Sequence, residues 1–90
     1  MKVQTPAFYL GTQKIHSTKT GKDYLKIALA IDGGFASFIT PKNIGDNILN
    51  KCSKVVENFN KTHAPQSCEV TLNLEFTERG NFTGIDEIKG

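Results

Sequence analysis

Between Tyr24 and Ile31 the side chains alternate strictly in character. Leu25, Ile27, Leu29 and Ile31 fall on one side, and Tyr24, Lys26, Ala28 and Ala30 on the other. A period of two is the signature of a strand with one buried face. The pattern returns from Cys68 to Thr77, where Cys68, Val70, Leu72, Leu74 and Phe76 alternate with Glu69, Thr71, Asn73, Glu75 and Thr77. Between these runs the period changes. Ile44, Ile48, Leu49, Cys52, Val55, Val56 and Phe59 recur at helical spacing, opposite Lys51, Lys54, Asn58 and Lys61. Such a stripe marks a helix with one face to bury. Two half-buried strands and an amphipathic helix require a sheet with a covered face.

The remaining segments complete the order. Lys2 to Ile15 is rich in Val, Thr, Phe and Tyr and reads as a strand. Pro6 suggests an edge position, and Gly11 a bulge or sharp bend. Ser17–Lys22 is a polar loop with a glycine turn. Gly33-Gly34 reads as a tight hairpin turn, because glycine accepts positive φ, and Phe35 to Thr40 as the third strand. Thr40 can cap the helix, with Pro41 at its first position; the helix fades near Asn60, before Pro65. Glu78-Arg79-Gly80-Asn81 is a turn, and Phe82 to Ile88 a fifth strand with a bulge at Gly84. The order is β-β-β-α-β-β. At 90 residues this is one domain, 1–90. Five strands, a bent first strand and a helix between the third and fourth fit the OB-fold, a partly open five-stranded barrel. The alternative is a five-stranded sheet with one helix packed across it.

Charge sharpens the expectation. The net charge is +2, from 11 Lys and Arg against 9 Asp and Glu. Residues 1–31 hold Lys2, Lys14, Lys19, Lys22 and Lys26 against Asp23, a net +4. Residues 62–90 hold Arg79 and Lys89 against Glu69, Glu75, Glu78, Asp86 and Glu87, a net −3. A basic segment beside an acidic one hints at a nucleic-acid partner, although a small chain can show such scatter by chance.

Several function classes are disfavoured. No apolar run approaches the ~20 residues of a membrane span, and no apolar stretch follows Lys2 as in a secretory signal. A cytoplasmic chain follows, with Cys52 and Cys68 as reduced, buried thiols. The spacing of Cys52, Cys68, His16 and His63 matches no zinc pattern. Asn60-Lys61-Thr62 and Asn81-Phe82-Thr83 match the glycosylation sequon, which without export is coincidence. No G-x-S-x-G, phosphate-cradling glycine loop or H-E-x-x-H motif occurs. A non-enzymatic binding module without a cofactor is expected.

Lys19-Thr20-Gly21-Lys22-Asp23-Tyr24-Leu25, followed by the alternating strand, resembles the start of strand two in a known family. The family is the small OB-fold single-stranded DNA-binding proteins of bacteriophages, plasmids and bacteria. The element order covers the whole chain, and the local motif about eight residues. The bacterial members carry an acidic recruitment tail, where this sequence reads Ile88-Lys89-Gly90, and the expected helix is longer than in the smallest filamentous-phage relatives. The resemblance therefore implies a compact phage- or plasmid-type protein. It would coat and protect single strands during DNA replication or recombination, with little sequence dependence.

Binding single strands takes cations along the phosphates and flat side chains under the bases. With Gly33-Gly34 as the turn, Ile31 opposes Ala36 and Leu29 opposes Phe38. The core face then holds Leu25, Ile27, Leu29, Ile31, Ala36 and Phe38. The outer face holds Tyr24, Lys26, Ala28, Ala30, Phe35, Ser37 and Ile39. Its small central residues leave room for bases. The candidate nucleic-acid-binding residues are Tyr9, Lys14, Lys19, Lys22, Tyr24, Lys26, Phe35, Ser37 and Arg79. Tyr9 reads equally as an anchor at the barrel rim, and Arg79, at the tip of the loop between strands four and five, as a partner of Glu78 or Glu75. Phe8, Phe59, Phe76 and Phe82 read as core. The partner expected is single-stranded DNA, with RNA open because stacking tolerates both. An exposed edge at strand one or a flat strand five could pair two copies as a homodimer. The competing function is an OB-like protein-interaction accessory factor.

Overall fold

A computed structural model describes the chain apart from Glu78 and Arg79 and the side chains of residues 75–83. The elements are β1 (Lys2–His16), β2 (Asp23–Ile31), β3 (Gly34–Pro41), α1 (Lys42–Asn50), α2 (Ser53–Thr62), β4 (Gln66–Thr77) and β5 (Gly80–Lys89). The five strands form one antiparallel sheet in the order β3-β2-β1-β4-β5. The mainly β class and the five strands are as expected. Two features of the expected order are corrected. The helical segment is two helices, and the sheet is not closed by hydrogen bonds among the described residues.

The helix breaks at Cys52, whose φ of −124° and ψ of 39° leave the helical region. A straight helix over residues 42–62 would run about 32 Å at 1.5 Å per residue. The break instead lets both halves follow the sheet. Ile48 of α1 and Val55 of α2 are buried, with Cys52 between them. Pro41, expected at the first helical position, stands at the N-cap without a side-chain capping bond. Gly45 lets α1 lie close on β2. A Cβ there would stand 2.8 Å from Leu25 Cδ1.

β1 is the central strand, not an edge. Its first part pairs with β4, from Lys2 to Tyr9, and its second with β2, from Phe8 to His16. Pro6 is tolerated because it lies outside the β2 ladder and faces only Glu69 of β4. The hand-over occurs at a bulge between Tyr9 and Gly11, and Gly11 takes a φ of +113°. In β5 the bulge falls at Asp86, between Ile85 and Glu87, rather than at Gly84.

The β2–β3 turn is Asp32-Gly33, with φ of 51° and 75°. Positive φ at both central residues is the type I′ geometry that matches strand twist. The register therefore differs from the expected one by two residues, pairing Ala30 with Phe35 and Ile27 with Phe38. A shift of two preserves the faces. Tyr9, Ile27, Leu29, Val70 and Ile88 are the largest fully buried side chains, and the helices cover this face through Ile48, Cys52 and Val55.

Candidate nucleic-acid interface

The face of β1–β3 opposite Ile48, Cys52 and Val55, which the helices reach only at Gly11 through the end of α2, is read from the ladder. Phe35, Ala30 and Phe8 lie in one row across three strands, followed by Ser67 of β4. The next rows hold Ser37, Ala28 and Gly11, then Ile39, Lys26 and Gln13, then Pro41, Tyr24 and Ile15. From Ala30 to Tyr24 the track is about 20 Å long at ~3.3 Å per residue. Its middle is floored by small residues, and aromatic rings stand at both ends.

Exposure assigns the roles. Phe35 is 87% exposed, Ile39 64% and Phe8 50%. These apolar side chains are exposed on one face of the sheet, the arrangement an interaction site would present. Phe8, expected in the core, is thus on the surface. Tyr9, expected as a stacking ring, is 1% exposed and belongs to the core. Its ring meets Phe59 edge-on at 5.3 Å, and its hydroxyl lies 3.4 Å from Thr12 Oγ1. Burial pushes its phenol pKa up. The two aromatics exchange places because neighbours on a strand face opposite ways. Phe8 and Phe35 are rooted two strand spacings apart, about 10 Å. A groove of about 320 Å³ opens at Phe8 and Ala30, bounded by Pro6, Asp32 and Gly33.

Of the expected cations, only Lys26 sits within the track, half-buried between Gln13 and Ile39. Lys14 pairs with Leu25, so it leaves β1 toward the opposite face, at the open end. Lys19 and Lys22 are exposed in the β1–β2 loop. That loop is closed by Ser17 N–H donating to the Lys22 carbonyl at 2.9 Å, and by Gly21 N–H donating to the Ser17 carbonyl at 2.8 Å. At its base His16 Nδ1 and Asp23 Oδ1 are 2.6 Å apart. Among the described residues, no carboxylate lies within 4 Å of the ammonium groups of Lys14, Lys19, Lys22 and Lys26. Ser37 is exposed beside Ala28, and Tyr24 is half-buried against a groove of about 550 Å³ that Lys22 and Lys42 also line. Asp23 and Asp46 share that groove, and Lys42 is tied to Asp46 at 2.9 Å, so it has little net charge to offer a phosphate. Arg79 lies outside the described residues.

The other half of the same face is different. Glu69 and Glu87 stand on β4 and β5, where Lys89 lies 3.7 Å from Glu87, and Lys2 pairs with Asp86 at 3.2 Å. Among the described residues, Lys14, Lys19, Lys22 and Lys26 thus lie with β1, β2 and their loop, and Glu69, Asp86 and Glu87 with β4 and β5. Sequence reasoning missed Phe8, Gln13 and Asn60. Gln13 and Asn60 line a further groove of about 360 Å³ over Gly11 and Ala28. Compared with known proteins, the chain matches no family model, no curated protein and no solved structure. Among the described residues, no helix is long and apolar enough to cross a membrane.

Proposed function

We propose that the chain is a non-enzymatic single-stranded DNA-binding protein that uses the β1–β3 face, on an OB-type barrel. One observation carries the reading. An exposed aromatic row, Phe35 and Phe8 astride Ala30, continues into a small-residue track holding Lys26 and ending at Tyr24. Rings that stack bases and lysines free to follow phosphates are what sequence-tolerant single-strand binding requires. The barrel is supported by the strand order and by the approach of β3 and β5, whose Cα atoms come within 8 Å of each other. At that end α1 packs against β2, β3 and β5, so a helix spans the gap where a strand ladder would close it. The acidic β4–β5 side would steer a polyanion onto the lysine-bearing half. We place the protein in the cytoplasm, coating single strands during replication or recombination in a phage- or plasmid-type system.

The test is fluorescence anisotropy of a labelled oligo-dT against a duplex of equal length, at two salt concentrations. Preference for the single strand and a steep loss of affinity with salt are expected. Equal affinity at both salts would sink the reading. An oligo-U arm separates DNA from RNA. Tyr24 is half-buried whereas Tyr9 is fully buried, so quenching of tyrosine emission reports contact at the Tyr24 end of the track.

A second reading is favoured by the edge position of β3, where Phe35 and Ile39 are exposed beside an unpaired strand edge. Such an edge accepts a strand from a partner or a second copy. A protein-interaction role predicts that Phe35→Ala abolishes self-association or partner capture while oligo-dT binding is absent from the start.

A further inference from the structure

The groove beside Gly11 is unlike the others. Its floor is Gly11, Ala28 and Ser37, and its walls carry Gln13, Lys26 and Asn60. It brings together the bend of β1, the middle of β2 and β3, and the last turn of α2. The helix reaches the sheet there for two reasons. Pairing of β1 with β4 stops at Tyr9, which leaves the far edge of β1 open beyond it. Gly11 has no side chain, and a Cβ there would stand 2.9 Å from Phe59 Cε1. Phe59 thus seats the end of α2 against the bend, and Asn60 follows it into the groove.

The chemistry of the groove is specific. Among the described residues no carboxylate lines it, whereas the groove beside Tyr24 holds two. It offers one ammonium and two primary amides. Neither amide hydrogen-bonds to another described residue, and both Gln13 and Asn60 are exposed. A primary amide presents a donor and an acceptor side by side, which matches the N7 acceptor and N6 donor of adenine. The volume, about 360 Å³, lies in the range of small-ligand sites, roughly 300–1,000 Å³. The small-residue floor lets a base approach closely, and Lys26 stands where its phosphate would pass.

We propose that this groove is a base-reading subsite, in which the Gln13 and Asn60 amides favour adenine over the other bases on an otherwise sequence-tolerant track. The proposal rests on the single-strand reading above. It gives the protein a base preference that stacking alone does not supply, and it assigns the end of α2 a part in binding.

The experiment compares the affinity of the full chain for oligo-dA and for the same oligonucleotide built from 7-deaza-adenine, with oligo-dT as reference. The deaza base keeps its ring and its amino group but lacks N7. The wild type is expected to bind oligo-dA about fivefold more tightly than the deaza form, the discrimination of one good bidentate pair at its lower end. In the variant carrying both Asn60→Ala and Gln13→Ala the two oligonucleotides become equal, with the thermal midpoint unchanged because both side chains are exposed. Equal wild-type affinity for oligo-dA and its deaza form, with oligo-dT still bound, overturns the subsite and leaves single-strand binding standing. A preference that survives both substitutions overturns the role of the amides. No binding to any of the three overturns the single-strand reading, and the subsite with it.

Discussion

Phe8 and Tyr9 are neighbours of similar size, and the fold sends one to the surface and the other to the core. The consequence is a pair of opposite phenotypes. Phe35→Ala and Phe8→Ala remove exposed rings, so oligo-dT affinity should fall by about 1–3 kcal/mol for each stacked base lost, while thermal midpoints stay near wild type. Tyr9→Ala should do the reverse at the level of stability. Emptying an aromatic site in a packed core costs about 3–5 kcal/mol, read as a lower denaturation midpoint. Cys52 and Cys68 give a residue-scale prediction of another kind. Both are free and buried. Burial pushes the Cys52 thiol from 9.0 up to about 11, and raises Cys68 as well. The unfolded thiols ionise first as pH rises, so this contribution to stability is intact below about 9 and is lost on the way to about 11. Urea melts of the wild type should weaken across that window more steeply than those of Cys52→Ala. Slow reaction of both thiols with an aromatic disulfide reagent in the native state, becoming fast on denaturation, checks the burial directly.

The elements show where sequence pattern suffices and where it does not. β2 and β4 announce themselves because a strict period of two admits one buried face. In β1 the run Ala7-Phe8-Tyr9-Leu10 is apolar at every position, so the pattern leaves undecided which ring is buried. Packing of Tyr9 on Phe59 of α2 decides it, a contact between residues fifty positions apart. The break at Cys52 is equally hidden. Ile48, Cys52, Val55 and Phe59 keep helical spacing through it, and only the shape of the sheet beneath demands a bend. The hairpin register is legible at Asp32-Gly33, which carries the strongest two-residue turn signal, but Gly33-Gly34 one residue on is a competing turn of the same length. Gln13 and Asn60 carry no local signal, because their meeting depends on the bulge and on the seat of α2. That dependence makes Gly11 the residue on which the element geometry turns. Gly11→Ala must hold a φ of +113° and push against Phe59. It should lower stability by about 1–3 kcal/mol, the range for strained backbone positions, and should displace α2 from the bend. Loss of Tyr9–Phe59 ring-current shifts in the NMR spectrum of the variant is the expected mark, and an unchanged spectrum with an unchanged melt would refute this account of the bulge.

At the scale of the molecule the modest net charge of +2 resolves into a division of the sheet. Lys14, Lys19, Lys22 and Lys26 belong to β1, β2 and their loop, while Glu69, Asp86 and Glu87 belong to β4 and β5. The acidic side is partly neutralised by Lys2, reaching Asp86 from the start of β1, and by Lys89 of β5 beside Glu87. The four lysines on the other side have no such partner among the described residues and are the ones available to phosphates. This division fixes the salt dependence. Each phosphate neutralised on a single strand contributes a slope of about −0.7 to log K against log salt. Four lysines engaged together would give about −3, and Lys26 alone, the one cation inside the track, about −0.7. Lys14 points away from the track and lies at the margin, so an intermediate slope of about −2 is expected for the wild type. Replacing Lys22 with Ala should lower the steepness by about 0.7 and weaken oligo-dT and oligo-dA equally. Replacing Lys2 with Ala frees Asp86 on the acidic side and should leave the slope unchanged. Equal effects of the two substitutions would mean that binding follows total charge rather than the divided sheet, and would remove the electrostatic argument for the β1–β3 face.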